Sequence, residues 1–239
     1  MKVLLTGAAS ELGRAVVTAI GEAVAWRRLD DCAAVEGPGE WVAASLVDAA
    51  AVGRAVQGVD VVIHTGEPPP VMPQGPEDEV LLDLATRGTH VLCKAAVDAG
   101  VKRLVYASTL EIFADYPDTV YITEMYRPQP TPEPVAMAKY LGEMVAREFA
   151  RDFPVTVTAL RLGKLVKQEE VAGRERDLMW VDIRDAAQAF GGAIERDESA
   201  SLNWVSRFAV FNICAPIANP KFLIGRAGAI GYAPERDFA

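Results

Sequence analysis

Short apolar runs alternate along this chain with longer segments of helical periodicity. The predicted strands cover residues 2–6, 23–29, 60–64, 103–108 and 154–162. The predicted helices cover residues 10–21, 48–57, 78–99, 135–152 and 184–195. Because the strand segments are almost continuously apolar, we expect them to be buried on both faces, as in a parallel sheet. The alternation of strands and helices therefore predicts an α/β fold with a doubly wound parallel sheet.

Two irregular segments interrupt this alternation. Residues 66–77, "GEPPPVMPQGPE", contain five prolines, which exclude both a helix and a central strand. Residues 116–134 are similarly irregular and follow the strand at 103–108. Each segment begins at the carboxyl end of a predicted strand. Open α/β sheets bind their ligands along the edge that these strand ends form. Either segment is a stiffened surface connection or a wall of a pocket, and the sequence leaves both readings open.

The first strand leads into a glycine turn with the features of a nucleotide site. In "VLLTGAASELGRAV", Gly7 directly follows the strand and Gly13 lies in the opening of the next helix. Gly7 permits a tight turn, and Gly13 permits the helix to approach the strand closely. The first helical amides, at Glu11 and Leu12, are then available to a pyrophosphate. Ser10 replaces a middle glycine, so its hydroxymethyl group either crowds the pyrophosphate or replaces one contact with another. A plain βα turn without a ligand is the alternative.

Acidic residues end the second predicted strand. A carboxylate ~20 residues past the glycines can bind the adenosine ribose hydroxyls and favours NAD over NADP. Asp30 is the candidate, and Asp31 is the near alternative. Arg27 and Arg28 precede them, and an arginine here could instead hold a 2′-phosphate. NAD is therefore the preferred cofactor, and NADP remains possible.

Composition narrows the classes of partner. The chain has 33 acidic and 24 basic residues among 239 and a formal charge of −9, which argues against nucleic-acid and anionic-membrane binding. Its three cysteines lack CxxC spacing and it has two histidines, so no metal site is predicted. No apolar run reaches the ~18 residues of a membrane span, and no signal peptide is recognisable. We therefore expect a cytoplasmic protein whose partner is a small-molecule substrate or none.

Several segments together resemble a known family. "TGAASELG", "VKRLVYAST", "AKYLGE" and "TALRLG" are similar to motifs of the extended short-chain dehydrogenase/reductases, within the NAD-dependent epimerase/dehydratase group. The ending "GAIGYAPERDFA" is most similar to the uronate-dehydrogenase-like branch. The resemblance implies a single Rossmann-type domain over residues 1–239, in which 163–182 and 196–239 contribute a reduced substrate-side lobe. It also implies a homodimer formed through the helices around 78–99 and 135–152.

The resemblance also implies functions for individual residues. Thr109 lies at the position of the family's catalytic hydroxyl, and Lys139 matches the lysine that binds the nicotinamide ribose and lowers the pKa of the catalytic tyrosine. The implied cofactor-binding residues are Gly7, Ser10, Glu11, Leu12, Gly13, Asp30, Ser45, Leu46, His64, Thr65, Gly66 and Lys139.

This chain departs from the family pattern at several of these positions. The catalytic tyrosine should precede Lys139 by four residues, but that position holds Val135, and no Y-x-x-x-K occurs in the chain. Ser45 replaces an aspartate expected near the adenine, and Ala85 replaces an asparagine. Glu111 stands where uronate dehydrogenases bind the sugar acid, and its carboxylate would repel a uronate.

Two functional hypotheses follow, and a third, weaker possibility is a protein that binds no nucleotide because of Ser10, Ser45 and Ala85. In the first, the chain is an atypical NAD(P)-dependent oxidoreductase or epimerase acting on a sugar-like or small hydroxyl or carbonyl substrate. In the second, it is a catalytically degenerate NAD(P)-binding sensor, regulator or partner subunit. The loop tyrosines Tyr116, Tyr121 and Tyr126 could supply the missing phenol, although no spacing supports them. Glu111 is read as a solvent-facing loop acid and Cys93 as a small core residue.

Overall fold

Nine strands form two sheets in the computed structural model, which describes residues 1–67 and 76–238. They are β1 (Lys2–Thr6), β2 (Ala25–Asp30), β3 (Glu40–Ala43), β4 (Val61–His64), β5 (Arg103–Thr109), β6 (Thr156–Leu162), β7 (Lys164–Val166), β8 (Trp180–Asp182) and β9 (Phe208–Ile213). The main sheet is parallel and has the order β3-β2-β1-β4-β5-β6-β9, while β7 and β8 form a separate parallel pair. The predicted doubly wound sheet is confirmed.

Eight α-helices connect these strands within the described residues. They are α1 (Glu11–Ile20), α2 (Ala49–Ala55), α3 (Glu77–Asp83), α4 (Thr89–Asp98), α5 (Pro134–Asp152), α6 (Gln168–Val171), α7 (Ile183–Ala193) and α8 (Trp204–Arg207). Short 3₁₀ segments lie at Gly21–Ala23, Leu110–Phe113 and Gly225–Ile230. A π-helical segment, Leu84–Gly88, separates α3 from α4, so the helix predicted at 78–99 is not a continuous α-helix. Such π segments frequently occur at functional sites.

Apolar side chains cover both faces of the main sheet. On one face, α1 and α7 pack against the strands around Leu5, Ile63 and Phe190. On the other face, α2, α4 and α5 pack around Val62, Tyr106 and other buried side chains. Burial on both faces explains the continuous apolar runs of the central strands. From β1 the chain adds β2 and β3 on one side of the sheet and then returns to add β4 and the later strands on the other side. This switch between β1 and β4 leaves a crevice at the carboxyl ends of these two strands.

A buried ion pair fixes α5 on the sheet. Arg161 of β6 donates from Nε to Glu143 Oε2 at 3.0 Å and from a terminal nitrogen to Glu143 Oε1 at 2.6 Å. Both side chains are almost fully buried. Close beside them, Tyr106 donates its hydroxyl to the Lys139 carbonyl at 3.0 Å. These contacts determine where the first half of α5, including Val135 and Lys139, lies relative to the ends of β5 and β6.

The sequence did not predict four of the nine strands, namely β3, β7, β8 and β9. β3 lies at the edge of the sheet and is only partly buried, so it lacks an apolar run. β7 and β8 have three residues each and lie outside the main sheet. β9 is apolar and is the other edge strand of the main sheet, so the segment 196–239 contributes to this sheet as well.

The structure describes only one of the two irregular segments in full. Most of the proline-rich segment, residues 68–75, lies outside the described part of the chain. The segment at 116–134 joins a third apolar cluster through Ile122, which forms a bridge with Phe222. Within residues 1–67 and 76–238, no helix is long and apolar enough to cross a membrane.

Candidate functional site

The turn after β1 requires glycine at two positions. Gly7 has a φ of 68°, and a Cβ there would lie 2.1 Å from Thr65 Oγ1. A Cβ on Gly13 would lie 2.3 Å from the Gly7 carbonyl oxygen. A side chain at Gly7 would therefore collide with Thr65 after β4, and one at Gly13 would force α1 away from the turn. This is the backbone geometry that the glycine spacing predicts for a pyrophosphate-binding turn.

Ser10 closes the turn from within. Its hydroxyl accepts a hydrogen bond from the Gly13 amide at 2.9 Å and donates one to the Gly7 carbonyl at 2.7 Å. The hydroxyl is therefore the N-cap of α1 and is engaged by the protein itself. The amides of Glu11 and Leu12 are the two in the first turn that this cap leaves without an intrahelical acceptor. A helix N-terminus with such amides favours an anion.

Two aspartates end β2 beside this turn. Asp30 is buried and accepts hydrogen bonds from the amides of Ala9 and Asp31, each at 2.8 Å. Burial raises the pKa of the Asp30 carboxyl above its usual value, although the two amides oppose this change. Asp31 is exposed, and both aspartates line the same cleft. Asp30 therefore fixes the turn, while Asp31 presents its carboxylate at the cleft mouth.

The two arginines that precede these acids are engaged elsewhere. Arg27 forms an ion pair with Glu40 at 2.7 Å and donates to backbone carbonyls at the end of α2. Arg28 is buried and donates to the carbonyls of residues 35–37. Neither arginine is among the described residues that line the cleft.

The cleft runs along the carboxyl ends of β2, β1 and β4. Its empty volume, which includes its open mouth, is about 640 Å³. Ser45, Leu46 and Ala85 form one wall, and Gly7, His64 and Gly66 form part of its floor. The cleft therefore borders the glycine turn at Gly7, both aspartates and the first half of α5.

His64 is a neutral structural residue at this floor. Its Nδ1 lies 2.8 Å from Thr6 Oγ1, and its Nε2 lies 3.0 Å from Thr89 Oγ1. The ring is fully buried, and burial together with the nearby Lys139 ammonium lowers its pKa to about 3. The imidazole is therefore uncharged at neutral pH and links β1, β4 and α4.

Lys139 is buried and joins the ends of β4 and β5. Its Nζ donates to the Thr65 carbonyl and to Glu67 Oε1, each at 2.7 Å, and lies 3.5 Å from the Ala107 carbonyl oxygen. This burial excludes the reading of Lys139 as an ordinary solvated helix residue. Thr65, in turn, donates its hydroxyl to the Thr6 carbonyl at 3.0 Å and is itself buried.

Glu67 is the site residue that the sequence analysis missed. It follows Gly66 directly, at the start of the proline-rich segment, and only 27% of its side chain is exposed. Nothing in its local sequence identified it, because its partner Lys139 lies 72 residues away. It lines the cleft and also a second pocket.

This second pocket lies beyond α5 at the ends of β5 and β6. Thr109 caps the 3₁₀ segment after β5 by accepting a hydrogen bond from the Glu111 amide at 3.1 Å. The buried Ser108 hydroxyl has no hydrogen-bond partner among the described residues. Glu111, which we expected to face solvent, is half-buried and lines this pocket. The remaining lining residues are Glu67, Val135, Lys139, Leu162, Gly163, Lys164 and Leu165.

No tyrosine is among the described residues that line either cavity. Tyr116 donates its hydroxyl to the Arg127 carbonyl, and its ring packs against Tyr126. Tyr121 is exposed. Val135, at the position of the expected tyrosine, is 47% exposed and lines both cavities. None of the three loop tyrosines therefore lines the cavities beside Lys139, and the buried Tyr106 hydroxyl nearby is engaged with the Lys139 carbonyl.

Comparisons with known proteins agree with this geometry. Residues 3–189 match the family described as the NAD dependent epimerase/dehydratase family. The chain is 32% identical to the NAD-dependent glucose-6-phosphate dehydrogenase of Haloferax volcanii, over 82% of this chain and 80% of the relative. It is 27% identical to the L-arabinose 1-dehydrogenase (NAD(P)(+)) of the same organism, over 100% and 98% of the two chains.

A solved structure supports the same fold. The glucuronic acid dehydrogenase of Chromohalobacter salexigens superposes with a TM-score of 0.79 at 23% identity. The superposition covers 99% of this chain and 85% of that chain. The predicted Rossmann-type fold is therefore confirmed.

Proposed function

This chain belongs to the NAD-dependent epimerase/dehydratase family, and we propose that it binds NAD and oxidises a hydroxyl group of a neutral, sugar-like substrate. One observation carries the proposal. The cleft beside the glycine turn and the pocket beside Ser108 and Thr109 share a wall formed by Glu67, Val135 and Lys139. A dinucleotide lying along the cleft would bring its reactive end to this wall, where a substrate in the pocket can reach it.

The residues of the cleft fit a dinucleotide. The pyrophosphate would lie against the glycine turn and the amides of Glu11 and Leu12, because that helix end favours an anion. The adenosine would lie near Ser45, Leu46 and the carboxylates at the end of β2. When bound, the nicotinamide supplies the hydride acceptor. His64 and Thr65 support the site from below through their hydrogen bonds.

We propose NAD rather than NADP as the cofactor. The carboxylates of Asp30 and Asp31 both line the ribose end of the cleft, where they would accept hydrogen bonds from ribose hydroxyls and repel a 2′-phosphate. Arg27 and Arg28 are the cations nearest in sequence, and both are committed to other partners. A 2′-phosphate would therefore meet two carboxylates without a free guanidinium.

The substrate pocket favours a neutral ligand. Glu111 carries a carboxylate with no ion-pair partner among residues 1–67 and 76–238, whereas Lys164 is paired with Asp177 at 2.6 Å. The lining contains two carboxylates and two ammonium groups, but both lysines are held in ion pairs, so an anionic sugar would meet the unpaired Glu111 carboxylate. Among the relatives, the L-arabinose enzyme has a neutral sugar in its name, while the glucose-6-phosphate enzyme has a charged one. We infer that this chain acts on the neutral class.

The hydroxyls of Ser108 and Thr109 would position the substrate. The orphaned Ser108 hydroxyl can donate to a substrate oxygen, which satisfies a buried polar atom and fixes the reacting carbon. Thr109 lies beside it at the end of β5, at the mouth of the same pocket. The charge of the Lys139 ammonium would offset the negative charge that develops on the reacting oxygen.

A second candidate function rests on Val135. Valine can neither donate nor accept a proton, so the chain could bind NAD without turnover and act as a sensor, regulator or partner subunit. The two functions differ in one measurement, which is the production of NADH.

The test is calorimetric titration with NAD⁺ and NADP⁺, followed by NADH absorbance with four substrates. These are L-arabinose, D-glucose, D-glucuronate and D-glucose 6-phosphate. We expect NAD⁺ to bind more tightly than NADP⁺ and the two neutral sugars to be oxidised in preference to the anions. Failure of both dinucleotides to bind would refute the proposal. Binding without any NADH production would favour the sensor or regulator.

Assembly and domain organisation complete the proposal. We propose a homodimer through the helical segment around 78–99, which comprises α3, the π segment and α4, and through α5, and light scattering would test it. We also propose that residues 163–182 and the parts of 196–239 that flank β9 form a reduced substrate-side lobe. The β7–β8 pair and the cluster around Met179 and Phe222 support this assignment, because they border the end of β5.

A further inference from the structure

The wall between the two cavities contains one group that can take up a proton in place of the missing tyrosine. We propose that the Glu67 carboxylate is the proton acceptor when the substrate hydroxyl is oxidised. This inference rests on the proposed function and names a residue for its proton-transfer step.

Position is the first argument. A proton acceptor must lie within hydrogen-bond reach of the reacting hydroxyl, and that hydroxyl must itself lie where the substrate pocket meets the cofactor cleft. Three residues line both cavities, namely Glu67, Val135 and Lys139. Valine has no titratable group, and the Lys139 ammonium already donates to Thr65, Glu67 and the end of β5. Glu67 is therefore the one member of this wall with lone pairs available to a new partner.

The ion pair with Lys139 is the second argument. Lys139 Nζ contacts Glu67 Oε1 at 2.7 Å, so Oε2 keeps its lone pairs for the substrate hydroxyl. The Glu67 amide, which lies 3.4 Å from Thr65 Oγ1, ties the backbone at this residue to the end of β4. A carboxylate held by a buried ammonium in this way is oriented before the substrate arrives.

The step balances with the proposed cofactor as the oxidant. The substrate carbon transfers a hydride to the nicotinamide of NAD⁺, and its hydroxyl transfers a proton to Glu67 Oε2 as the C=O bond forms. The side chain of Glu67 is 27% exposed, so the proton can pass to solvent when the product leaves.

The pocket contains a second carboxylate, and it serves a different purpose. Glu111 lines the substrate pocket but not the nucleotide cleft. It lies two residues after Thr109 and is not part of the wall that both cavities share. Its carboxylate therefore selects against anionic substrates, whereas the shared position of Glu67 brings it to the hydride-transfer end.

The test compares Glu67→Gln with the wild type and with Glu148→Gln. Glu148 is a half-buried glutamate on α5 that is paired with Arg147 at 2.8 Å and lines neither cavity, so it controls for loss of a cation-paired carboxylate outside the site. With L-arabinose or D-glucose, we expect Glu67→Gln to lower kcat by ~10²–10⁴-fold, the usual contribution of a general base. Calorimetry should still detect NAD⁺ binding by this variant, and Glu148→Gln should match the wild type.

A rescue separates proton transfer from a structural contribution. Tyrosine at position 135 would lie one helical turn before Lys139 on the same face of α5. We therefore expect the kcat of the double variant Glu67→Gln, Val135→Tyr to be at least about tenfold higher than that of Glu67→Gln, because the phenol restores a proton acceptor. If Glu67 only held Lys139 in place, the added tyrosine would not restore turnover.

Each other outcome has a defined meaning. If Glu67→Gln turned over substrate as fast as the wild type, the inference would be overturned and the proposed function would stand. The same holds if Glu111→Gln, rather than Glu67→Gln, showed the large loss of kcat. Binding of NAD⁺ by the wild type without NADH production from any of the four sugars would also overturn it. Failure of the wild type to bind NAD⁺ would refute the proposed function itself.

Discussion

The buried imidazole of His64 predicts a specific loss of stability in mild acid. Unfolding exposes this ring, so its pKa returns from about 3 to its ordinary value of 6.5. The unfolded chain then binds a proton below pH 6.5 that the folded chain refuses until the pH approaches 3. The stability associated with a neutral His64 is therefore fully present above pH 6.5 and is lost as the pH falls from there towards 3.

The magnitude follows from the same two values. Each pH unit within this window costs about 1.4 kcal/mol of unfolding free energy for one proton. A change from about pH 7.5 to about pH 5 should thus remove roughly 2 kcal/mol through His64 alone. Acidic groups also change the stability over this range, so the variant His64→Gln provides the reference. Glutamine retains hydrogen-bonding capacity towards the Thr6 and Thr89 hydroxyls but does not titrate.

The assay is urea unfolding followed by tryptophan fluorescence, for both proteins at both pH values. We expect the wild type to lose roughly 2 kcal/mol more than His64→Gln between the two conditions. The other histidine, His90, is exposed and present in both proteins, so its contribution cancels. Equal losses in the two proteins would refute the reasoning, as would an NMR titration of the His64 ring with a midpoint near 6.5.

Three further predictions concern the glycine turn, the buried ion pair and the ribose end of the cleft. Gly13→Ala should weaken NAD⁺ binding by at least about tenfold in calorimetry, because the added Cβ would meet the preceding turn. The control Gly53→Ala in α2, where the added Cβ would point into open space, should bind NAD⁺ as tightly as the wild type. Glu143→Ala should lower the urea unfolding free energy by about 3–5 kcal/mol, since it leaves the Arg161 charge buried and unpaired; a cost below 1 kcal/mol would contradict this. Asp31→Ser should narrow the preference for NAD⁺ over NADP⁺ in paired titrations, and an unchanged ratio would assign the selection to another residue.

Local sequence was sufficient for much of the fold. β1, β5 and β6 were predicted from apolar runs, because strands buried on both faces carry that signature wherever they lie. The helices of more than seven residues were also predicted, to within about two residues at each end apart from the π segment. β3 was missed because an edge strand with half-exposed side chains has no such signature.

The glycine turn was likewise determined by its sequence. Gly7 and Gly13 restrict a backbone conformation and a close approach that involve neighbours within a few residues, so their spacing alone predicted the turn. The position of Ser10 was also evident, but the partners of its hydroxyl were not. Its engagement with Gly7 and Gly13 became clear only when the turn and the first helical residues were seen together.

The tertiary structure decided which groups surround the reacting end of the site. The sequence identified Lys139 and the absence of a tyrosine at position 135, and it predicted that Glu111 faces solvent. Folding brings Lys139 to Glu67 across 72 residues and places Glu111 in a pocket with Ser108 and Thr109. Such contacts arise where parallel strands distant in sequence end side by side at one edge of the sheet. Periodicity and spacing report only on neighbours along the chain, so the proposed proton acceptor is visible only in three dimensions.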